Sequence, residues 1–322
     1  MKKHLLLLLT ICIPLSSHGQ KVHELSSPDG KIKMSINLSD KVCYNLICQN
    51  DTLLKECSLQ MKINNQQLGI KPQLAKASRK SINESLTPII PLKNSTVSSQ
   101  YNQLLLSFRG NYSIEFRTFN DGIAYRFITN QKGMIEVNNE TFQINFPKNY
   151  LLHVQQSGGF KTAYEEEYHH IQSHEWNASS PMIHLPVLID TQKDYKLLIS
   201  ESNLTDYPAM FFKSTGENGM SATFPKVPLE FGEDGDRSVK ILKEADYIAK
   251  TSGKRSFPWR YFVICQEDKQ LIENTMTYKL AERNVLDDTS WIKPGLASWE
   301  WWNGATPYGP DINFVAGCNT DT

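Results

Sequence analysis

Side chains able to do chemistry gather in three short stretches. The first is Tyr164-Glu165-Glu166-Glu167-Tyr168-His169-His170, reached through Ser157-Gly158-Gly159. Its three carboxylates suit a hard cation that binds oxygen, and its two imidazoles suit a transition metal. If the stretch is extended, alternate residues share a face, so one ion would use Glu165 with Glu167, or Glu166 alone. The bland alternative is a solvated acidic loop. The second stretch runs Glu201-Ser202-Asn203-Leu204-Thr205-Asp206-Tyr207-Pro208-Ala209-Met210. An acid closing an apolar strand, followed by a turn with Asp and Tyr, either lines a pocket or merely fixes the turn. The third is Trp299-Glu300-Trp301-Trp302-Asn303, where each ring joins a large apolar body to one polar N–H; such a run can also be ordinary core.

Strands must position these groups. Ile32, Met34, Ile36 and Leu38 alternate with polar residues, Val42, Tyr44, Leu46 and Cys48 repeat the pattern, and Asn50-Asp51 turns the chain toward Leu53-Leu54. The clearest hairpin spans Tyr112 to Thr129, with Asn120-Asp121-Gly122 at its turn. Further strands are expected at Phe142 to Phe146, Leu185 to Ile189, Lys196 to Ser200, Ala209 to Phe212 and Trp259 to Cys265, whereas residues 71 to 100 read as irregular connections or edge strands. Many short strands separated by turn residues predict an all-β antiparallel sandwich. One helix is expected, over Gln266 to Glu282, with Leu271, Thr275 and Tyr278 on one face. Composition shifts at Asp287 to Pro294, which sets a boundary between a domain over residues 20–286 and a segment over 287–322.

The chain opens with Met1-Lys2-Lys3-His4, an apolar run and Ser17-His18-Gly19, the pattern of a secretory signal peptide over residues 1–19, so a periplasmic or secreted location is expected. No later segment is apolar enough to predict membrane insertion. With 34 basic and 34 acidic residues the chain carries no net charge, and nothing recommends a nucleic acid or an anionic membrane as partner. Beyond the leader, Cys43, Cys48, Cys57, Cys265 and Cys318 are an odd set without a C-x-x-C pair, which favours buried free thiols over a disulfide framework or a zinc site.

Asp288-Thr289-Ser290-Trp291-Ile292-Lys293-Pro294-Gly295, Trp299 to Asn303, and Phe314 with Ala316-Gly317 and Asn319-Thr320 together resemble the domain junction of glycoside hydrolase family 97, the calcium-dependent exo-α-glycosidases. The wording Glu115 to Phe127 is similar to that family's sandwich. The resemblance implies a large galactose-mutarotase-like sandwich joined through a helix-containing connector to a (β/α)8 barrel, with residues 287 to 322 as linker and start of that barrel and its first short strand running through Trp299 to Asn303. It implies an oligosaccharide substrate and calcium as cofactor, with Glu165 of Tyr164-Glu165-x-x-Tyr168 as the calcium ligand and Glu166 as the alternative if the register slips. His169 and His170 fall outside that motif and are expected to be ordinary loop histidines. Trp301 matches a tryptophan of the family's sugar pocket. With Trp302 and Asn303 it would stand at the C-terminal end of the strand, where a ring stacks on a sugar face and an amide bonds hydroxyls. Glu201 is similar to an acid near that site. The resemblance leans to the retaining α-galactosidase branch over the inverting α-glucosidase one. Glycosidic cleavage needs two carboxyl groups flanking one bond. In the family these come from later barrel strands, so the catalytic pair is expected beyond residue 322, with the rest of the barrel as the missing partner. The chain alone is expected to be inactive and to hold little calcium. The alternative is a non-catalytic sugar-binding or scaffolding sandwich.

Overall fold

A computed structural model describes residues 22–64, 66–90, 92–235 and 238–296. Among these the chain forms antiparallel strands almost throughout, with two short helices. Strands Ile32–Leu38 and Val42–Cys48 bury every second side chain, as their period-two sequences predict.

The organising strand is Gly122–Asn145, 24 residues long. Its first part pairs with Tyr112–Phe119 on one side and Trp259–Cys265 on the other, its middle with Ala249–Ser256, and its last part with Asp51–Ile63 and Gly219–Thr223. It therefore belongs to both layers of a β-sandwich. One layer runs outward through Tyr112–Phe119 and Val97–Phe108 to Leu74–Leu86, and the other way through Trp259–Cys265, Lys196–Ser202 and Val187–Asp190 to Leu151–Ser157 and the edge strand Tyr168–Gln172. The second layer runs from Asp51–Ile63 through Val42–Cys48 and Ile32–Leu38 to Val22–Ser26. Leu46, Leu59, Phe116, Phe142, Ile199 and Phe262 are among the side chains buried in the main core, each worth about 1.5–3 kcal/mol. Thr118 Oγ1 and Asn102 Nδ2 donate to the carbonyl of Ser26 at 2.7 and 2.9 Å and tie the layers along one edge.

Several expectations from sequence need correction. Within residues 71 to 100 the edge-strand alternative holds and the irregular one does not: Leu74–Leu86 is a regular thirteen-residue strand paired with Val97–Phe108. Its sequence reads as irregular because an edge strand with both faces largely in solvent needs no apolar alternation, and Lys76, Arg79 and Lys80 blunt the edge. The hairpin turn is Asn120-Asp121 alone, since Gly122 already pairs with Phe119. Gly122 answers to a close approach: a Cβ there would sit 2.1 Å from the Phe262 carbonyl oxygen. The strand expected over Leu185 to Ile189 begins only after Pro186, as Val187–Asp190, and Met182–His184 precedes it as a separate strand.

The expected helix over Gln266 to Glu282 is two pieces, Lys269–Ile272 and Met276–Leu280. Asn274 interrupts it: its Oδ1 accepts the Met276 N–H at 2.8 Å while its Nδ2 donates to Asp121 at 3.2 Å, offering the backbone a turn in place of a helical bond. The buried positions are Met276 and Leu280, and Tyr278 is exposed. These two side chains cover the outer face of Trp259–Cys265, joining Trp259, Tyr261 and Val263 in a second core, while Phe262 and Ile264 face the first.

The chain divides into a unit of Met1–Thr87 with Thr96–Glu282, which contains the sandwich, and one of Pro88–Ser95 with Arg283–Thr322. In the second unit the described residues form turns, such as Ser290 N–H to Asp288 Oδ1 at 2.8 Å, and no strand or helix. The strand expected at Trp299 to Asn303 lies outside the described residues.

Cys43, Cys48, Cys57 and Cys265 are free thiols. Burial pushes the Cys57 thiol up to about 12. A folded-state value above the unfolded one means that stability present below about pH 8.5 is lost as pH rises toward 12. A neutral buried thiol is also a poor nucleophile. Iodoacetamide at pH 8 is expected to leave Cys57 unmodified in the native protein and to label it in urea; mass mapping of native protein with Cys57 labelled early would contradict this burial.

Candidate functional site

Tyr164, which precedes Glu165, and the turn after Glu201 come together at one groove of about 680 Å³, which neither Glu165 nor Glu201 itself lines. Phe160, Lys161 and Tyr164 stand on one side, Asp206, Tyr207 and Ala209 on another, and Lys226, Pro228 and Ile241 form a further wall. The loop carrying Glu165 joins strands Leu151–Ser157 and Tyr168–Gln172. The Ser157 hydroxyl donates to the Gly159 carbonyl at 2.6 Å at its start, and Gln155 Nε2 donates to the Glu166 carbonyl near its end. Tyr164 sits at φ 59°, a left-handed conformation uncommon for a residue with a Cβ. Its ring rests on His184 and Phe211 at centroid distances of 5.0 and 5.9 Å, and Phe160 meets Phe211 at 5.1 Å. Held this way, Tyr164 anchors the loop, and Glu165, Glu166 and Glu167 are all exposed.

Glu201 fixes the turn from beneath. One carboxylate oxygen accepts the Met210 N–H at 3.2 Å and the other pairs with Arg260. Arg260, whose side chain is 0% exposed, also donates to both oxygens of Glu140 at 3.0 and 2.9 Å, and Tyr207 donates its hydroxyl to Glu140 at 2.9 Å. Burial raises the Glu201 carboxyl and the Arg260 charge opposes that shift. Burial works against the Arg260 charge too, but Glu140 and Glu201 outweigh it and hold the guanidinium protonated. Above them Asp206 accepts the Thr251 hydroxyl at 2.6 Å, and Arg255 donates to the carbonyls of Thr205 and Asp206 at 2.7 and 3.2 Å. A buried ion cluster thus pins a strained turn, with Asn203 at φ 63° and Asp206 at φ 50°, whose Asp206 and Tyr207 reach the groove.

Sequence reasoning reached Glu165, Glu201 and the turn but missed Arg260 and Glu140. The signal was a charge inside the apolar run Trp259 to Cys265: a fully buried arginine requires a buried carboxylate. His169 and His170 are residues of the strand Tyr168–Gln172 and not of a loop. Trp301, Trp302 and Asn303 lie outside the described residues.

As a calcium ligand, Glu165 offers one exposed carboxylate, and calcium takes six to eight oxygens. Among the described residues no group of three His, Cys, Asp or Glu side chains is placed to hold a metal ion, so the described residues alone do not build a calcium site.

Comparison with known proteins bears on the whole arrangement. A retaining alpha-galactosidase from Bacteroides thetaiotaomicron is 33% identical over all of this chain and half of its own length, and a probable retaining alpha-galactosidase from Streptomyces bingchenggensis is 26% identical over 65% of this chain and 30% of its own. The chain thus spans about half the length of the first of these relatives or less. A glycoside hydrolase family 97 enzyme from Pseudoalteromonas sp. strain K8, solved with acarbose, superposes on 85% of this chain and 40% of its own with a TM-score of 0.69 at 23% identity, and a beta-arabinopyranosidase superposes with a TM-score of 0.62 at 19% identity, over 76% of this chain and 40% of its own. These two share the fold. The family model for the glycosyl-hydrolase 97 N-terminal domain matches residues 25–283, and the chain belongs to that family.

Proposed function

We propose that this chain is the sandwich-bearing N-terminal part of an exported α-glycosidase that removes a terminal α-linked sugar, α-galactose in first place, from an oligosaccharide with retention. The observation that carries this reading is the meeting of Tyr164, the residue before Glu165, with the Asp206 to Ala209 turn at one groove, in a chain all of which aligns with a retaining alpha-galactosidase. The sandwich's contribution is positional. Tyr164 packs on Phe211 and His184, the Arg260 cluster fixes the opposing turn, and Glu165 is held at the surface with its carboxylate unpaired by any described cation. There it would supply one oxygen ligand to a calcium ion whose remaining ligands would come from outside the described residues. A bound calcium would contribute positive charge for polarising a substrate oxygen. The two carboxyl groups that cleave the bond likewise lie outside the described residues, and Trp301, Trp302 and Asn303 belong to the sugar pocket.

A chimera tests this. The chain replaces the matching half of the Bacteroides thetaiotaomicron relative, and turnover of nitrophenyl α-galactoside is followed with and without calcium. The expected result is calcium-dependent turnover that Glu165→Gln lowers by about 100-fold in kcat/KM, since even removing a group that only supports a ligand costs 10–100-fold. A folded, active chimera indifferent to Glu165→Gln would overturn Glu165's role.

A further inference from the structure

The strand that follows the Glu165 loop carries a second arrangement of metal-binding type. Tyr168–Gln172 is an edge strand whose register on Leu151–Ser157 places His170 directly across from His153. Their side chains share one face of the sheet, and the two Nδ1 atoms lie 2.7 Å apart with the rings edge-on, 4.7 Å between centroids at 74°. Two imidazole nitrogens aimed at each other at that distance leave room for one proton between them, so one ring donates and the other accepts.

We propose that His153 and His170 form a two-nitrogen site for a divalent transition-metal ion, with copper(II) or zinc(II) as the ion class. A metal bound to both at about 2.0–2.1 Å requires its two nitrogens to stand about 2.9–3.4 Å apart at square-planar to tetrahedral angles, so the rings need to part by a few tenths of an ångström and turn until both lone pairs converge on the ion. The pair faces solvent at a sheet edge, where His170 is exposed and His153 half-buried, so an ion enters without unfolding anything. Charge nearby leans negative, which suits a cation: on the same face Asp190 lies toward Lys196 at 4.0 Å, and Lys196 also pairs with Asp268. Burial, followed by the His170 ring, lowers the His153 imidazole and favours the unprotonated form a metal needs.

The chemistry separates this site from a calcium site. Imidazole suits copper, nickel and zinc, and a hard oxygen-seeking ion gains nothing from it. With two protein ligands the remaining positions fall to water, which sets the affinity in the micromolar range and leaves the ion open to exchange. The structural consequence is a staple: metal across His153 and His170 joins the edge strand to the sheet five residues from Glu165.

Titration calorimetry of the untagged protein at pH 7.5 with copper(II), zinc(II) and calcium(II) tests the proposal. The expected result is one equivalent of copper(II) or zinc(II) at micromolar Kd, weakened at least tenfold by His153→Asn and by His170→Asn alike and left unchanged by His169→Asn and His174→Asn, with no heat from calcium displaceable by zinc. Imidazole NMR of the unaltered protein supplies a second reading that needs no variant: sub-stoichiometric copper(II) should broaden His153 and His170 first. Absence of micromolar binding, binding indifferent to both substitutions, or broadening that starts at His169 or His174 would overturn it.

Discussion

Arg260→Met is expected to cost the sandwich about 3–5 kcal/mol, the range for removing one partner of a buried ion pair. The substitution leaves Glu140 and Glu201 in the main core with no counter-charge, and Tyr207 with an acceptor that now repels its neighbour. For a unit of this size about 2–4 °C is lost per kcal/mol, so the melting temperature should fall by about 10 °C. The pH dependence has a definite sign. Without Arg260 the charge that opposes burial is gone and the Glu201 carboxyl stands further above its unfolded value of about 4.3, so the penalty is full at neutral pH and shrinks as pH falls toward that value. Arg260→Met combined with Glu140→Gln and Glu201→Gln should recover most of the loss, because it removes the uncompensated charges together. Urea melts at pH 7.5 and pH 5 decide the matter: a loss under about 1 kcal/mol at pH 7.5, or one that grows on acidification, would show that the cluster does not hold the core as described.

Trp259→Ala is expected to cost about 3–5 kcal/mol, the range for emptying a large aromatic site. On the outer face of the same strand, the Trp259 ring meets the guanidiniums of Arg117 at 4.4 Å and Arg126 at 4.2 Å, and both guanidiniums pair with Glu115 at 2.8 Å. The ring therefore supplies packing against Met276 and Leu280 together with a cation–π surface. Trp259→Phe keeps part of both and should cost less than half as much. Because Trp259 and Arg260 point to opposite faces, their separate effects test the two cores one at a time. Denaturant midpoints for the two Trp259 variants check this, and equal losses for Ala and Phe would contradict a role for the indole's size and charge-stacking surface.

How much of this was legible in the sequence depended on whether one face or both faces of a strand were covered. Ile32–Leu38 and Tyr112–Phe119 announce themselves because burial on one side writes a period of two. Leu74–Leu86 is hidden by its largely solvated faces, and Trp259–Cys265, buried on both, looks like a plain apolar run that conceals which core each residue serves. The helix over Gln266 to Glu282 was over-read because Asn274 lowers helix propensity only modestly on paper, whereas in three dimensions its amide finds Asp121 and the Met276 N–H. The candidate site was legible as two separate motifs. That they meet at one groove depends on the pairing of distant strands. The His153–His170 pair was equally invisible, since seventeen residues and a strand register separate two unremarkable histidines. Glu201 was correctly found as an acid at a strand end; its use for Arg260 and the Met210 N–H depends on a partner 59 residues away.

The proposed function turns on a division of labour in which the sandwich would present Glu165 and a shaped groove while the bond-cleaving carboxyls would come from outside the described residues. The most direct measurement is hydrolysis of nitrophenyl α-galactoside and α-glucoside by this chain alone, at millimolar calcium. Release of nitrophenol at the buffer rate with both substrates is the result predicted; calcium-stimulated turnover of either that Glu165→Gln or Glu201→Gln abolishes would place the cleaving acids within the sandwich and contradict the account.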